Sequence, residues 1–547
     1  MTNRAAVPAD AQASAHNLAA LLTRRAEVNQ PALTGASGSF TYAQLTAYTG
    51  AARSFLQEQG VQPGDRVALA LPNVPVMVAL YYASLSLGAI VVPLHPLLTP
   101  REVAHHLRDA SARLLLAGAG TRVGEELEQT NQLVGGTIQL ELLALDEDFG
   151  LASQASQASQ ASQASQASQA SQASQASQGQ SWEPHPVTPN TPAVLLYTSG
   201  TTGLPKGATL THANMLSNAE TCVDVFGFTQ QDVIFGGLPL FHAFGQTVSM
   251  NAVLAAGASI ALLPRFTPGG AARLCAAASV TVLAAVPTMY SALATYLATD
   301  PALSGQLHGQ IRFGISGGSA LPASVHTALD NLLGCPIYEG YGLSETAPVV
   351  SFNRAEYGLV IGSVGRALPG VRVKVVDRDG AEVAAGQRGE LWVAGPNVMA
   401  GYWQNSAATE AVMQGEWFAT GDVATLDGQG NIFIVDRLKD MILRNGNSVY
   451  PREIEDVLYT HQSVRLAAVV GQPSEAVGEE IVAVIVPTDE LEVGEQAELA
   501  ASLDAHSRSQ LAAYKCPRRY IFKTDLPLGP TGKILKRVLA EELAREV

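Results

Sequence analysis

A short apolar run at 193–196 passes directly into Tyr197-Thr-Ser-Gly-Thr-Thr-Gly-Leu-Pro-Lys-Gly207. The run reads as a buried strand, since apolar residues bounded by turn formers leave no polar face. The loop after it offers glycine N–H groups, the hydroxyls of Thr198, Ser199, Thr201 and Thr202, and the ammonium of Lys206. Those are the donors a polyphosphate requires. No Gly-Lys-Ser/Thr triplet closes the loop, so it does not follow the Walker pattern. A solvated turn has the same composition, and the rest of the chain decides between the two.

The chain on the N-terminal side supplies further layers. Phe40-Thr41-Tyr42 opens a segment predicted helical over 43–59 and ended by Gly60, and Gly64-Asp65-Arg66 turns into a strand at 67–71. Helix and strand alternate through Leu116, which predicts a parallel or mixed sheet covered by helices. Residues 75–95 carry no Asp, Glu, Lys or Arg and are long enough to span a bilayer. Pro75 and Pro93 bracket them, and Ser84, Ser86 and Gly88 interrupt them. A buried helix at 75–87 feeding a strand at 89–93 is the better reading. At 152–178 the triplet Ala-Ser-Gln repeats nine times. Period three suits neither helix nor strand, and without glycine it is not collagen. A neutral surface insertion is expected there.

With 547 residues the chain should divide into more than one domain. A net charge of −15 without any basic block argues against nucleic acid as a main partner. Cys222, Cys275, Cys335 and Cys516 lack metal-ligand spacing, and 1–16 lacks the apolar stretch of a secretion signal. Reduced, buried thiols of a cytoplasmic protein are the expectation.

Further along, Thr211-His-Ala-Asn214 starts a helix reaching about residue 226. Leu238-Pro-Leu-Phe-His242-Ala-Phe-Gly245 is followed by small apolar residues, among them Val248, Met250, Val253 and Leu254. A strand at 311–315 turns through Ser316-Gly317-Gly318, where glycines let the backbone approach a flat ring. Then come Tyr338-Glu339-Gly340-Tyr341-Gly342-Leu-Ser-Glu345-Thr346, a strand at 389–393, Thr420-Gly421-Asp422 and Asp436-Arg437-Leu-Lys439-Asp440. Leu526-Pro-Leu-Gly-Pro-Thr-Gly-Lys533-Ile534 lies near the end. Each alone has a plainer reading: a core histidine, a strand-to-helix turn, a solvated charge run, a surface lysine.

In this order the motifs resemble those of the adenylate-forming superfamily, which includes acyl- and aryl-CoA synthetases, peptide-synthetase adenylation domains and beetle luciferases. The resemblance runs from about residue 40 to about residue 539. It implies an α/β fold, with a large N-terminal domain of stacked αβ subdomains at 1–438 and a small mobile α+β C-terminal domain at 439–547, hinged at Lys439. It also implies two steps using ATP, Mg²⁺ and coenzyme A: a carboxylate attacks the α-phosphate to give an acyl-adenylate, and a thiol then displaces AMP. By resemblance Thr198, Ser199, Gly200, Thr201, Thr202 and Lys206 hold phosphates. Gly317 and Gly318 lie against adenine, Tyr341 stacks on it, Glu339 sits near its amino group, and Gly342 belongs to the same nucleotide motif. Asp422 accepts from the ribose, and Arg437 reaches ribose or phosphate. Glu345 helps hold the metal, Thr346 contacts phosphate, His242 guards the acyl tunnel, and Lys533 neutralises charge developing in adenylation. Gly446 belongs to a segment at 441–450 that lines the pantetheine passage; Asn445 stands where many relatives have glycine, and Asn tolerates the turn.

No Asp occurs between Leu238 and Arg265 to pair a substrate ammonium, which counts against an amino acid. An alkyl chain gains about 0.8 kcal/mol per methylene buried against such apolar walls. The expected partners are therefore a medium- or long-chain fatty acid, ATP and CoA. No transmembrane segment is expected, while peripheral membrane contact and a homodimer stay open. An aryl-CoA ligase or a carrier-protein ligase would share these motifs. Outside the ligases, a nucleotide hydrolase or sensor would bind ATP without carboxylate-dependent pyrophosphate exchange.

Overall fold

The computed structural model describes residues 14–35, 38–145, 151–152, 182–198, 205–474, 476–489, 494–528 and 534–545. The expected elements form where local chemistry favours them. The helix Tyr42–Glu58 starts on a reciprocal cap in which Thr41 Oγ1 accepts from Gln44 N–H and the Gln44 side chain accepts from Thr41 N–H. The helix Pro75–Ser86 has every residue buried and leads to the strand Ile90–Pro93. Its apolar run is therefore interior packing. Among the described residues no helix is long and apolar enough to cross a membrane.

Four sheets carry the architecture. One of eight strands runs in the order Gly401–Tyr402, Lys206–Thr211, Pro192–Thr198, Ile90–Pro93, Arg66–Ala70, Leu114–Gly118, Gln139–Leu145, Leu151–Ala152. Its centre is parallel and its margins antiparallel. A second, of nine strands, has Val233–Gly236, Val282–Ala285, Phe313–Ser316 and Ile337–Gly342 as parallel neighbours. A five-stranded antiparallel sheet contains Gly389–Ala394, Trp417–Leu426 and Ile432–Arg437. These three sheets contribute to one continuous apolar core, from Leu18 to Ile432.

The fourth sheet, Asn447–Val449, Ile442–Arg444, Gly478–Pro487, Val464–Ser474 and Arg519–Phe522, has separate cores on its two faces. One packs Ile454, Leu458 and Leu503 against it, and the other packs Leu539 and Leu543. The molecule is thus a large α/β body with a small α+β unit. Asp436 spans the two: Oδ1 accepts from Arg437 N–H at 2.8 Å, and Oδ2 accepts from Arg452 N–H at 2.9 Å. Arg452 lies in the first turn of the helix Pro451–Leu458, where a carboxylate complements the exposed N–H groups.

Candidate active site

The strand Pro192–Thr198 and its antiparallel neighbour Lys206–Thr211 put Thr198 opposite Lys206 at the two ends of the glycine-rich loop. Ser199, Gly200, Thr201 and Thr202 lie outside the described residues, as does Lys533. The base of the loop is braced by one helix, Pro100–Asp109. Tyr197 donates its hydroxyl to Asp109 Oδ2 at 2.6 Å, and His105 Nε2 lies 3.2 Å from Pro205 O.

Two parallel strands, Phe313–Ser316 and Ile337–Gly342, end beside each other. Gly318 turns the chain away with φ of +86°, a conformation that favours glycine. A Cβ on Gly317 would come within 3.3 Å of the Phe244 ring. The turn expected against adenine therefore abuts the motif expected to line the acyl pocket. Glu339 is buried and accepts from Leu321 N–H at 3.0 Å through Oε1. Burial holds its carboxyl above the usual range.

Tyr341, Asp422 and Arg437 meet as a unit. The Tyr341 hydroxyl donates to Asp422 Oδ2 at 2.5 Å, and Arg437 Nε lies 3.0 Å from Asp422 Oδ1. The register that pairs Asp422 with Arg437 across adjacent strands supplies the second contact. Burial alone would lower the Arg437 pKa, but Asp422 and the acidic groups around it keep it above the ordinary value. Gly342 must be glycine, since a Cβ there would sit 2.0 Å from Pro348 O. That contact brings the chain beyond Glu345 back against the strand.

Glu345 and Thr346 form a short turn after this strand. The buried Thr346 hydroxyl donates to Pro348 O at 2.5 Å and accepts from Leu343 N–H at 3.0 Å, so it braces the turn. Glu345 is held from a segment that carried no weight in the sequence. Its backbone carbonyl accepts from Met399 N–H at 2.8 Å, and its Oε1 accepts from the Tyr402 hydroxyl at 2.9 Å. Lys206 Nζ lies over the same Tyr402 ring, 4.8 Å from the centroid. The signal available for Tyr402 was Gly401-Tyr402-Trp403 after a strand, a pattern too common to single out.

His242 is half-buried, and its Nδ1 accepts from Phe244 N–H at 3.3 Å. Behind it Gly245–Asn251 forms a π-helix continued by the α-helix Ala252–Ala256, with the π-helix wholly buried. A Cβ on Gly245 would lie 2.2 Å from Pro239 O, which explains the glycine that ends this motif. Thr247 donates to Ala347 O at 2.8 Å, tying the π-helix to the Glu345 turn. Lys439 stands in the turn Leu438–Asp440, and burial lowers its pKa. Asn445 and Gly446 form the tip of a hairpin in the small sheet, with φ of 50° and 75°. Positive φ at both positions is what a two-residue hairpin turn demands.

Among the described residues no three His, Cys, Asp or Glu side chains converge as a metal cage. Glu345 offers a single hard oxygen donor beside Lys206 and Tyr402. That set fits Mg²⁺, which keeps several waters and is bound by one or two carboxylates together with substrate phosphates.

A large α/β body joined to a small α+β unit, with Tyr341, Asp422 and Arg437 clustered beside the turn at Gly317–Gly318, is the arrangement of an adenylate-forming enzyme. The chain belongs to the AMP-binding enzyme family, which it matches over residues 22–403, and it matches the AMP-binding enzyme C-terminal domain over 453–533. It is 33% identical over 510 residues to a long-chain-fatty-acid–CoA ligase of Bacillus subtilis, covering 89% of this chain and 87% of that protein. It is 34% identical over 506 residues to a feruloyl-CoA synthase of Amycolatopsis, covering 91% and 93%. The crystal structure of ATP-bound MatB from Rhodopseudomonas palustris superposes with a TM-score of 0.83 at 31% identity, covering 96% of this chain and 98% of that one. Within the family the chain is an AMP-forming acyl-CoA ligase, and enzymes of this kind use ATP and CoA.

Proposed function

We propose that this ligase activates a medium- or long-chain fatty acid, first as the acyl-adenylate and then as the CoA thioester. The observation that carries the choice of acid is the buried, charge-free helical stretch 245–254 behind His242, one side chain away from the turn at Gly317. The relatives named long-chain-fatty-acid–CoA ligases support the same reading.

In this reading the ribose hydroxyls take the Asp422 oxygen now occupied by Tyr341, whose ring then lies on adenine, while Arg437 keeps Asp422 ionised. Lys206 leaves the Tyr402 ring for the phosphates. Glu345 would hold Mg²⁺, and that cation would supply charge neutralisation on the leaving pyrophosphate. The chain then positions two reactants and stabilises charge, with no covalent protein nucleophile. Lys439 is the hinge about which the unit from 439 onward turns, withdrawing Lys533 and presenting the hairpin at Asn445-Gly446 to pantetheine. The reaction takes place in the cytoplasm.

Pyrophosphate exchange with ATP across carboxylates of rising length tests the substrate. Affinity should climb by about 0.8 kcal/mol per methylene until the pocket ends, and product should appear with free CoA. The similarity to a feruloyl-CoA synthase favours a second reading, an aromatic acid. Exchange that is strongest with hydroxycinnamates and flat along the alkyl series would select it.

A further inference from the structure

Tyr402 belongs to none of the motifs that carried the sequence reading, yet it touches two of their charged residues. It stands on the two-residue strand Gly401–Tyr402, paired with Lys206–Thr211 so that Tyr402 faces Ala208. Its backbone is fixed on both sides. Tyr402 N–H donates to Thr409 Oγ1 at 2.9 Å, and Trp403 N–H donates to Gly207 O at 2.7 Å. A side chain rooted this firmly has few rotamers open to it. The phenol hydroxyl donates to Glu345 Oε1 at 2.9 Å, while Lys206 Nζ lies 4.8 Å from the ring centroid.

Lys206 starts a strand of the eight-stranded sheet, Glu345 lies in the short turn after Ile337–Gly342, and the two carry opposite charge. Among the described residues no ion pair joins them, and Glu345 Oε2 has no hydrogen-bond partner. Opposite charges that share one neighbour attract each other. The phenol engages each with a separate part of one side chain: a donor for the carboxylate and a π-face for the ammonium. A purely packing aromatic would need the ring alone.

We propose that Tyr402 is a positioning residue for the metal–triphosphate unit: its hydroxyl fixes Glu345 through Oε1 so that Oε2 remains for the divalent cation, and its ring holds Lys206 off that carboxylate until phosphate oxygens take the ammonium. This rests on the reading of Glu345 as the protein's ligand to the cation.

Tyr402→Phe keeps the ring and removes the donor. Binding of Mn²⁺ to the protein with a non-hydrolysable ATP analogue, followed by electron paramagnetic resonance, should weaken by about 10-fold or more, the usual effect of losing a partner behind a metal ligand. The Mg²⁺ concentration for half-maximal pyrophosphate exchange should rise by the same factor. The melting temperature and the KM for ATP at saturating metal should stay unchanged. Tyr402→Leu also removes the ring and should raise the KM for ATP. Glu345→Gln alone should weaken Mn²⁺ binding, and adding Tyr402→Phe to it should cost nothing further, because the hydroxyl acts through the carboxylate. The proposal is overturned if Tyr402→Phe binds Mn²⁺ like the parent while Glu345→Gln does not, or if its effect persists in the Glu345→Gln background. Undiminished Mn²⁺ binding by Glu345→Gln removes the assignment of Glu345 itself, and the proposal with it.

Discussion

Single residues at this site are held by partners that a linear motif does not display. Asp422 has both oxygens engaged, one by Tyr341 and one by Arg437, so a ribose bound there as proposed would exchange for an existing hydrogen bond. The cost of ligand entry is lower for such an exchange than for desolvating an unpaired carboxylate. A comparable constraint away from the site makes stability pH-dependent. His212 is fully buried, and its Nδ1 accepts from Leu18 N–H at 3.0 Å, which requires an unprotonated nitrogen. Burial pulls its pKa down to about 4, and that of His106 also to about 4. Between about pH 6.5 and about pH 4 the unfolded chain binds protons at these positions and the folded chain does not. Their contribution is therefore fully present above about pH 6.5 and is lost as the pH falls through that window. Urea unfolding at pH 7 and pH 4.5 should show the drop, and His212→Asn, whose amide oxygen can accept from Leu18, should show a shallower one.

At the scale of elements, the helix His212–Phe226 organises the site without contributing to its chemistry. Thr211 Oγ1 accepts from Asn214 N–H, and the Asn214 side chain accepts from Thr211 N–H. The other end of that side chain, Nδ2, donates to Pro396 O at 2.7 Å and Val398 O at 2.9 Å. The next residue, Met399, donates to the Glu345 carbonyl. Thr211→Ala should cost about 1 kcal/mol, the worth of an ordinary cap. Asn214→Ala leaves buried carbonyls without a donor and should cost about 2 kcal/mol or more. It should also slow adenylate formation, whereas Thr211→Ala spares it. Unfolding curves and exchange rates on the two variants separate these effects. The helix start was legible in Thr211-His-Ala-Asn214, with Thr211 or His212 near its cap, and the structure gives the cap to Thr211. The asparagine's second task was not, because Pro396 and Val398 lie about 180 residues away along the chain. The π-helix Gly245–Asn251 was also hidden: apolar composition marked the stretch as wall, but i→i+5 bonding leaves no periodic signature in seven residues.

For the molecule as a whole, separate cores allow the small unit to move as a body while the large one keeps its shape. Asp436 reaches from the large body to the helix Pro451–Leu458 of the small unit, where its Oδ2 accepts from Arg452 N–H at 2.9 Å. Contacts of this polar kind can be exchanged for others at modest cost, unlike an apolar core. If Lys533 serves adenylation and is then withdrawn, Lys533→Ala should abolish adenylate formation and spare thioester formation from supplied acyl-adenylate. Equal loss of both half-reactions would count against movement about Lys439.

Layered α/β architecture and the strand before the glycine-rich loop were both legible in the sequence alone. Periodicity, turn chemistry and motif order are local properties of a chain, and each survives folding unchanged. Tertiary structure alone decided that Tyr341 and Arg437 share Asp422, that Thr346 braces its own turn, and that Tyr402 stands between Lys206 and Glu345. Those contacts join segments far apart in the chain, and their geometry follows from strand register and side-chain packing, which no local pattern encodes.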